Sequence, residues 1–253
     1  MLKRRFIAVL VIRHGQVVQS EQFRHPHVIH RDPIHAIECF NKWAVDEIVA
    51  LNVSLEDETA GPFLEVVDRI SESCFVPLTV GGWIRDLDYA RRLLKSGADK
   101  LIVNTQAYRD PGLIREMAYQ FGSQCVVVSI DSKRDESGRE LVCIDRGREL
   151  TGTPTVEWAV RAAGHGAGEL FLNSIKHDGK RKGYNLEVIK RVSEAVSIPI
   201  IAFGGVFQWQ DLAAGIEQAG ADAVAAANIL HYTEHSCRKA KRYLVEHGVA
   251  MRK

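Results

Sequence analysis

The chain has 253 residues, 46% of them hydrophobic and 26% charged, with a formal net charge of +1. That length supplies one large core and suits a single α/β barrel or two small domains. The near-neutral balance excludes a global field for nucleic acid or an anionic membrane as partner.

The N-terminus, "MLKRRFIAVLVIRHG", has a basic start, but Arg13 and His14 end its apolar run after seven residues without a small-residue cleavage site. It reads as a first strand, not a signal peptide. Seven further apolar runs follow, so the strand candidates are Phe6–Ile12, Glu47–Val53, Val76–Val80, Lys100–Asn104, Gln124–Asp131, Gly168–Ser174, Ile198–Phe203 and Asp222–Ala226. Their continuous apolar character indicates strands covered on both faces. Amphipathic segments alternate with them, among them helices at Pro33–Lys42 and Leu87–Ser96, the latter with Gly97 as its C-cap. No apolar segment approaches the roughly 18 residues of a membrane span. Five scattered cysteines, Cys39, Cys74, Cys125, Cys143 and Cys237, form no C-x-x-C pair; this argues against a disulfide framework or zinc site and fits a reducing cytoplasm.

The halves resemble each other. "VPLTVGGWIRDLDYARRLLKSGADKLIVNT" aligns with "IPIIAFGGVFQWQDLAAGIEQAGADAVAAAN", placing Gly81-Gly82 over Gly204-Gly205 and Gly97-Ala98-Asp99 over Gly220-Ala221-Asp222. Eight βα units with such a repeat predict a (β/α)8 barrel of two similar halves, one domain over residues 1–253; a doubly wound open sheet is the alternative.

In a barrel the working residues project from the carboxyl ends of the strands, here Val11, Asn52, Gly81, Asn104, Asp131, Asn173, Gly204 and Asn228. The paired glycines let backbone N–H groups approach an anion, and a following helix N-terminus adds partial positive charge. Two phosphate sites are expected, with Asn104-Thr105 and Ala227-Asn228 at matching places; the competing reading is that the glycines only make tight turns. Asp131 ends a buried strand, so it needs a task such as proton transfer, or a salt bridge to Lys133 or Arg134. "HPHVIH" offers His25, His27 and His30, near His35, but lacks a carboxylate or Cys at ligand spacing and reads as a polar βα loop, not a metal site. "DGKRKG", from Asp178 and Gly179 to Gly183, is a basic loop able to close over an anionic substrate. Trp43, Trp158 and Trp209 read as packing aromatics, whereas Trp83 directly follows an anion-binding Gly-Gly.

The pieces "PLTVGGWIRD", "SGADKLIVNT", "FGSQCVVVSIDSKR", "GAGELFLNSIKHDGKRKGY" and "SIPIIAFGG" resemble the cyclase subunit family of imidazole glycerol phosphate synthase in histidine biosynthesis, nearly end to end. The resemblance implies a two-phosphate barrel, without cofactor or metal, that takes ammonia from a glutaminase subunit. It places an ammonia gate at Arg5, Glu47, Lys100 and Glu169, and a glutaminase contact at Asp99. It makes Asp131 catalytic and assigns Gly81, Gly82, Asn104, Thr105, Asp178, Gly179, Gly204, Gly205 and Asn228 to the phosphorylated substrate. Four charges at strand starts would also crowd around the axis and need mutual pairing on physical grounds alone, which a purely structural plug would satisfy as well.

The mouth departs from that family. Val11 stands in place of a second catalytic aspartate, Gln19 in place of a lysine, Asn52 in place of an aspartate, and Trp83, Phe203 and Asn228 in place of small residues. Trp83 and Phe203 are expected to block at least one phosphate. The altered mouth and "FRHPHVIHRDPIHAIECFNKWAVDEI" resemble a paralogous branch tied to sugar amidation in surface polysaccharide biosynthesis, with a sugar amidotransferase as further partner. The alternative is an active cyclase, a lyase of histidine biosynthesis.

Overall fold

A computed structural model describes residues 3–21, 24–54 and 60–252. Strand β1 (Arg5–Arg13) runs into a hairpin of β2 (Gln16–Glu21) and β3 (Arg24–His30). Then come α1 (Pro33–Lys42), β4 (Glu47–Asn52), α2 (Ala60–Ser73), β5 (Leu78–Gly81), α3 (Leu87–Lys95), β6 (Lys100–Val103), the short α4 (Thr105–Arg109) and α5 (Gly112–Phe121). The second half repeats the plan with β7 (Val126–Arg134), a hairpin of β8 (Glu140–Ile144) and β9 (Glu149–Pro154), α6 (Thr155–Gly164) and β10 (Glu169–Ser174). It ends with α7 (Leu186–Ser193), β11 (Ile200–Phe203), α8 (Trp209–Glu217), β12 (Ala223–Ala226), a 3-10 turn at Asn228–His231, and α9 (Ser236–Glu246).

Eight of these strands pair in parallel in the order β1, β4, β5, β6, β7, β10, β11, β12. The barrel closes where β12 returns to β1, from Arg5↔Ala223 to Ala8↔Ala226. That closure gives a (β/α)8 TIM-type barrel and rules out the open doubly wound sheet.

Alternation along each strand divides the apolar residues into two cores. Phe6, Ala8, Leu10 and Ile12 point outward and pack with Phe40, Ile48, Ile70 and Leu93 under the helices. Ile7, Val9 and Val11 point inward and fill the lumen with Val49, Ile102, Val127, Phe171, Ile201 and Ala223. Both faces are dry, so the strands lack a polar alternation.

Local chemistry sets the helix ends. Asp32 and Asp86 cap α1 and α3 by accepting from the N–H groups of Ile34 and Tyr89. Helix α3 stops one residue earlier than the sequence suggests, with Ser96 as its cap and Gly97 beyond it at φ 98°. Trp158 is fully buried, and Trp43 and Trp209 pack against the outer core.

The two hairpins are not evident in the sequence. "HPHVIH" is a strand and not a βα loop: Gln19 pairs with His27 and Val17 with His30. Among the described residues no cluster of three or more His, Cys, Asp or Glu is placed to hold a metal ion. No described helix is long and apolar enough to cross a membrane.

Candidate functional site

The inward register stacks three levels along the barrel axis. Two residues before the lumen positions Ile7, Val49, Ile102 and Phe171 stand Arg5, Glu47, Lys100 and Glu169, on the same face of their strands. All four meet. Arg5 reaches Glu47 at 2.9 and 3.1 Å and Glu169 at 3.1 and 3.0 Å. Lys100 closes the ring to Glu169 at 2.7 Å and Glu47 at 3.3 Å. Burial works against charge here, but Glu169 and Glu47 outweigh it and hold Arg5 above its usual pKa. Burial likewise pushes Glu169 up, and Arg5 and Lys100 more than reverse it. Lys100 has the most exposed side chain of the four, 17% against 9% for Arg5, 4% for Glu47 and 11% for Glu169. Asp99 lies beside the ring, exposed, and its carboxylate accepts the Leu78 N–H at 2.8 Å.

Above the ring the lumen is mostly apolar up to the level of Asp131, with the buried hydroxyls of Thr79 and Ser129 on the same inward register. This carboxyl is buried and accepts one bond from the Asn173 amide and one from the Asn104 amide, each at 2.8 Å. Among the described residues it has no ion pair. The salt bridge expected as its alternative is absent because Arg134 turns outward to Glu140 and Glu187. Burial pushes the Asp131 pKa up to about 6, against the pull of Asn173 and Asn104. A carboxyl with that pKa exchanges protons near neutrality. Val11, the lumen residue at the end of β1, offers no second acid.

The backbone repeats between the halves at the two expected anion sites. Asn104, before α4, has φ −120° and ψ −97°; Ala227, before the 3-10 turn, has φ −116° and ψ −85°. Neither makes a side-chain bond to its turn, so the first N–H groups there are not capped from within. The glycines have steric reasons as well. A Cβ on Gly82, at φ 120°, would stand 2.5 Å from the Asn52 carbonyl oxygen; one on Gly205, at φ 93°, 2.4 Å from that of Gly183. Gly81 is buried at the strand end and lines neither mouth cavity.

Phe203, its ring tilted against that of Phe171 with centroids 4.9 Å apart, lines both of two cavities at the mouth. One, of about 440 Å³, holds Gly82, Asn104, Thr105 and Asp131, with Asn52 and Asn173. The other, of about 470 Å³, holds Asp178, Gly179, Gly204, Gly205 and Asn228. Phe203 is thus a partition between the two cavities. Trp83 is a wall. Its backbone is left-handed at φ 58°, and its indole N–H donates to the Ser54 carbonyl at 3.0 Å. Gln19 also lies at the mouth, where the Tyr232 hydroxyl bonds to it across the second cavity.

One group was not visible in the sequence. The β8–β9 turn puts Asp145, Arg146 and Gly147 in succession at φ 51°, 59° and 73°. The Asp145 N–H donates to the Thr105 hydroxyl at 2.9 Å, so Thr105 anchors the turn beside the first cavity. Arg146 then lies over Trp83, 5.8 Å from its ring centroid, and Arg85 lies 4.9 Å from the same ring. The available signal was the "DRG" of "CIDRGRE", a turn tripeptide with a cation in it.

Known proteins agree with this architecture. The family described as "Histidine biosynthesis protein" matches residues 5–236. The imidazole glycerol phosphate synthase subunit HisF of Alkaliphilus metalliredigens (strain QYMF) is 42% identical over 253 residues, 100% of each chain. The closed barrel, its repeat and these matches together make the chain a HisF-like member of the histidine biosynthesis protein family.

Proposed function

We propose that this barrel receives ammonia from a glutaminase subunit docked at the amino-terminal ends of its strands, and that it supports amidation of a sugar, of acetamidino type, in surface polysaccharide biosynthesis. The observation that carries the reading is a closed ring of Arg5, Glu47, Lys100 and Glu169 below a mostly apolar lumen that leads to a mouth with one buried acid. Ammonia is small and neutral, so a mostly apolar lumen with the Thr79 and Ser129 hydroxyls along it is compatible with its passage once Lys100 has moved. Asp99, exposed beside the ring, is suited to touch the glutaminase. Valine at position 11 cannot transfer a proton, and loss of a positioned acid typically costs roughly 10² to 10⁴ in rate. A phosphorylated small molecule would sit in the mouth, and a sugar amidotransferase would complete the transfer. The assignment to sugars rests on the resemblance of the first βα segment and of the altered mouth to that branch, and the work would take place in the cytoplasm.

A second reading has its own support. The full-length identity to a HisF subunit, and Asp131 with a pKa near neutrality, favour an active cyclase in which Asp131 is the general base and water or another group supplies the acid.

Turnover of the imidazole precursor nucleotide, in excess ammonium salt at mildly alkaline pH and beside an authentic cyclase, separates the two. A folded protein with no turnover supports the amidation reading, and turnover near the control replaces it with the cyclase reading.

A further inference from the structure

Strand β3 ends on His30, whose imidazole takes no part in the chemistry of the ring or of Asp131. Its ring centroid lies 5.5 Å from that of His35 on α1 and 5.3 Å from that of His231, the last residue of the 3-10 turn. His231 packs in turn on Phe40 at 5.7 Å, Phe40 on Trp43 at 6.2 Å, and Trp43 on His235, the residue before α9, at 6.0 Å. This row of rings joins the β2–β3 hairpin, α1 and the 3-10 turn. The hairpin and the residue after the turn meet again at the mouth, where the Tyr232 hydroxyl bonds to Gln19. Both sides of that junction line the second cavity: Gln19 from the hairpin, and Asn228, Ile229, Tyr232 and Thr233 from the turn and the residues after it. The hairpin itself is tied to the barrel sheet through two residue pairs, Ile12↔Val17 and Arg13↔Gln16, so its outer part can move as a unit.

The charged groups that act on the two central rings are other imidazoles, His35 on His30 and His30 on His231. Carboxylates on the same elements are engaged elsewhere or face water: Asp32 caps α1 and pairs with Arg69 at 2.8 Å, and Glu38 and Glu234 are exposed. The cations Arg31, Lys42, Arg238 and Lys239 on those elements are exposed as well. A proton on either central ring therefore meets imidazole and aromatic neighbours and, among the described residues, no counter-ion. Burial, with His30 beside it, pushes His231 down to about 4, and burial with His35 beside it lowers His30.

We propose that this cluster is a proton-sensitive latch: with its imidazoles neutral it holds the β2–β3 hairpin against the 3-10 turn and closes that side of the second cavity, and protonation of His231 and His30 parts the two. A ring that titrates near 6.5 when released and near 4 when docked takes its proton preferentially in the released state. The docking it supports is fully present above about pH 6.5 and is lost as the pH falls toward 4. At pH 5 the shift at His231 alone corresponds to about 30-fold in the docking equilibrium, and His30 adds to it in the same direction. The latch does not depend on what the mouth binds, so it stands apart from both the amidation and the cyclase reading.

The test is hydrogen exchange of the intact chain, read by mass spectrometry at pH 7.5 and pH 5 with labelling times scaled for the intrinsic rate. Peptides from β2, β3 and the 3-10 turn should lose protection by about 10-fold or more at the lower pH, while those from β7 and β10 keep theirs. His231→Phe with His30→Phe retains the rings and removes the protons; this double variant should keep the protection seen at pH 7.5 and cut the loss at pH 5 to less than about 3-fold. His27→Gln, at an exposed position of the same strand, should leave the wild-type loss in place. A wild-type loss below about 2-fold, an equal loss over β7 and β10, or a loss that persists in the double variant would overturn the latch. Carbon-13 NMR titration of the wild-type imidazoles gives a reading that needs no variant: at least one ring should titrate below about 5.5, and titration of every ring near 6.5 would overturn the latch as well.

Discussion

Replacing Asp131 with Asn tests the electrostatics of the mouth without any assumption about substrate. Burial raises the carboxyl from an ordinary 3.8 to about 6, so the folded chain holds this proton more tightly than the unfolded chain does. The stability linked to that proton is fully present below about pH 4 and is lost as the pH rises through about 6. At 1.36 kcal/mol per tenfold, the rise corresponds to about 3 kcal/mol, an upper figure that any water entering the cavity reduces. Asparagine has nearly the same shape and no charge at any pH. It can be accommodated, because Asn173 Oδ1 is buried without a partner, and turning that amide over offers the new NH₂ an acceptor. The stability of Asp131→Asn relative to wild type should therefore improve by about 2–3 kcal/mol between pH 4 and pH 7.5, measured by urea unfolding at the two values. If the difference between the proteins changes by less than about 0.5 kcal/mol across that interval, Asp131 is not held as a high-pKa acid, and its assignment to proton transfer falls with it.

Three other outcomes follow from the same geometry. Lys100→Met should leave the fold intact but change the coupling of glutamine hydrolysis to ammonia use in the complex with the glutaminase; unaltered coupling would sink the gate assignment. Glu47→Gln removes one of the two carboxylates that satisfy Arg5 and Lys100, and should cost about 3–5 kcal/mol in urea unfolding, well beyond the range of a surface ion pair. Gly205→Ala, with its Cβ driven to 2.4 Å from the Gly183 carbonyl, should destabilise the chain by at least about 1–3 kcal/mol, and a neutral result would mean the 177–183 loop can move aside.

The barrel strands were legible because a strand dry on both faces carries an uninterrupted apolar run, and Ile7 and Leu10 look alike in sequence although one faces the lumen and the other a helix. The hairpins were not, since β3 is mostly basic and aromatic-polar and β9 ends on proline. Each depends on pairing with the strand before it. The ring at the base was legible by family resemblance, and physical reasoning added only that such charges must pair. Trp83 was legible as a departure. Its place in the cavity wall, fixed by a left-handed backbone and the bond to Ser54, was not. Arg146 depends on a turn conformation that no local pattern fixes, so its place beside Trp83 emerges only from tertiary structure.

The departures at positions 11 and 83 can be separated by experiment because they act on different quantities. Val11→Asp places a carboxyl among lumen residues such as Val9, Val49 and Phe203, where charging it is costly, so its pKa should be driven upward and the variant should lose stability as the pH rises. Such a raised acid is what a general acid requires, and with Asp131 it would form a pair with divided roles. Trp83→Gly relieves the left-handed strain and removes the surface on which Arg85 and Arg146 stack. If the loss of an acid alone distinguishes this mouth from a cyclase, Val11→Asp should gain turnover of the imidazole precursor by roughly 10² or more, with no help from position 83. If the mouth differs from a cyclase in more than position 11, Val11→Asp should remain inactive, and turnover should require a change at Trp83 as well, as in the Val11→Asp, Trp83→Gly double variant. Ready gain of turnover by the single variant would refute the rebuilt-mouth argument and leave Val11 as the one functional difference.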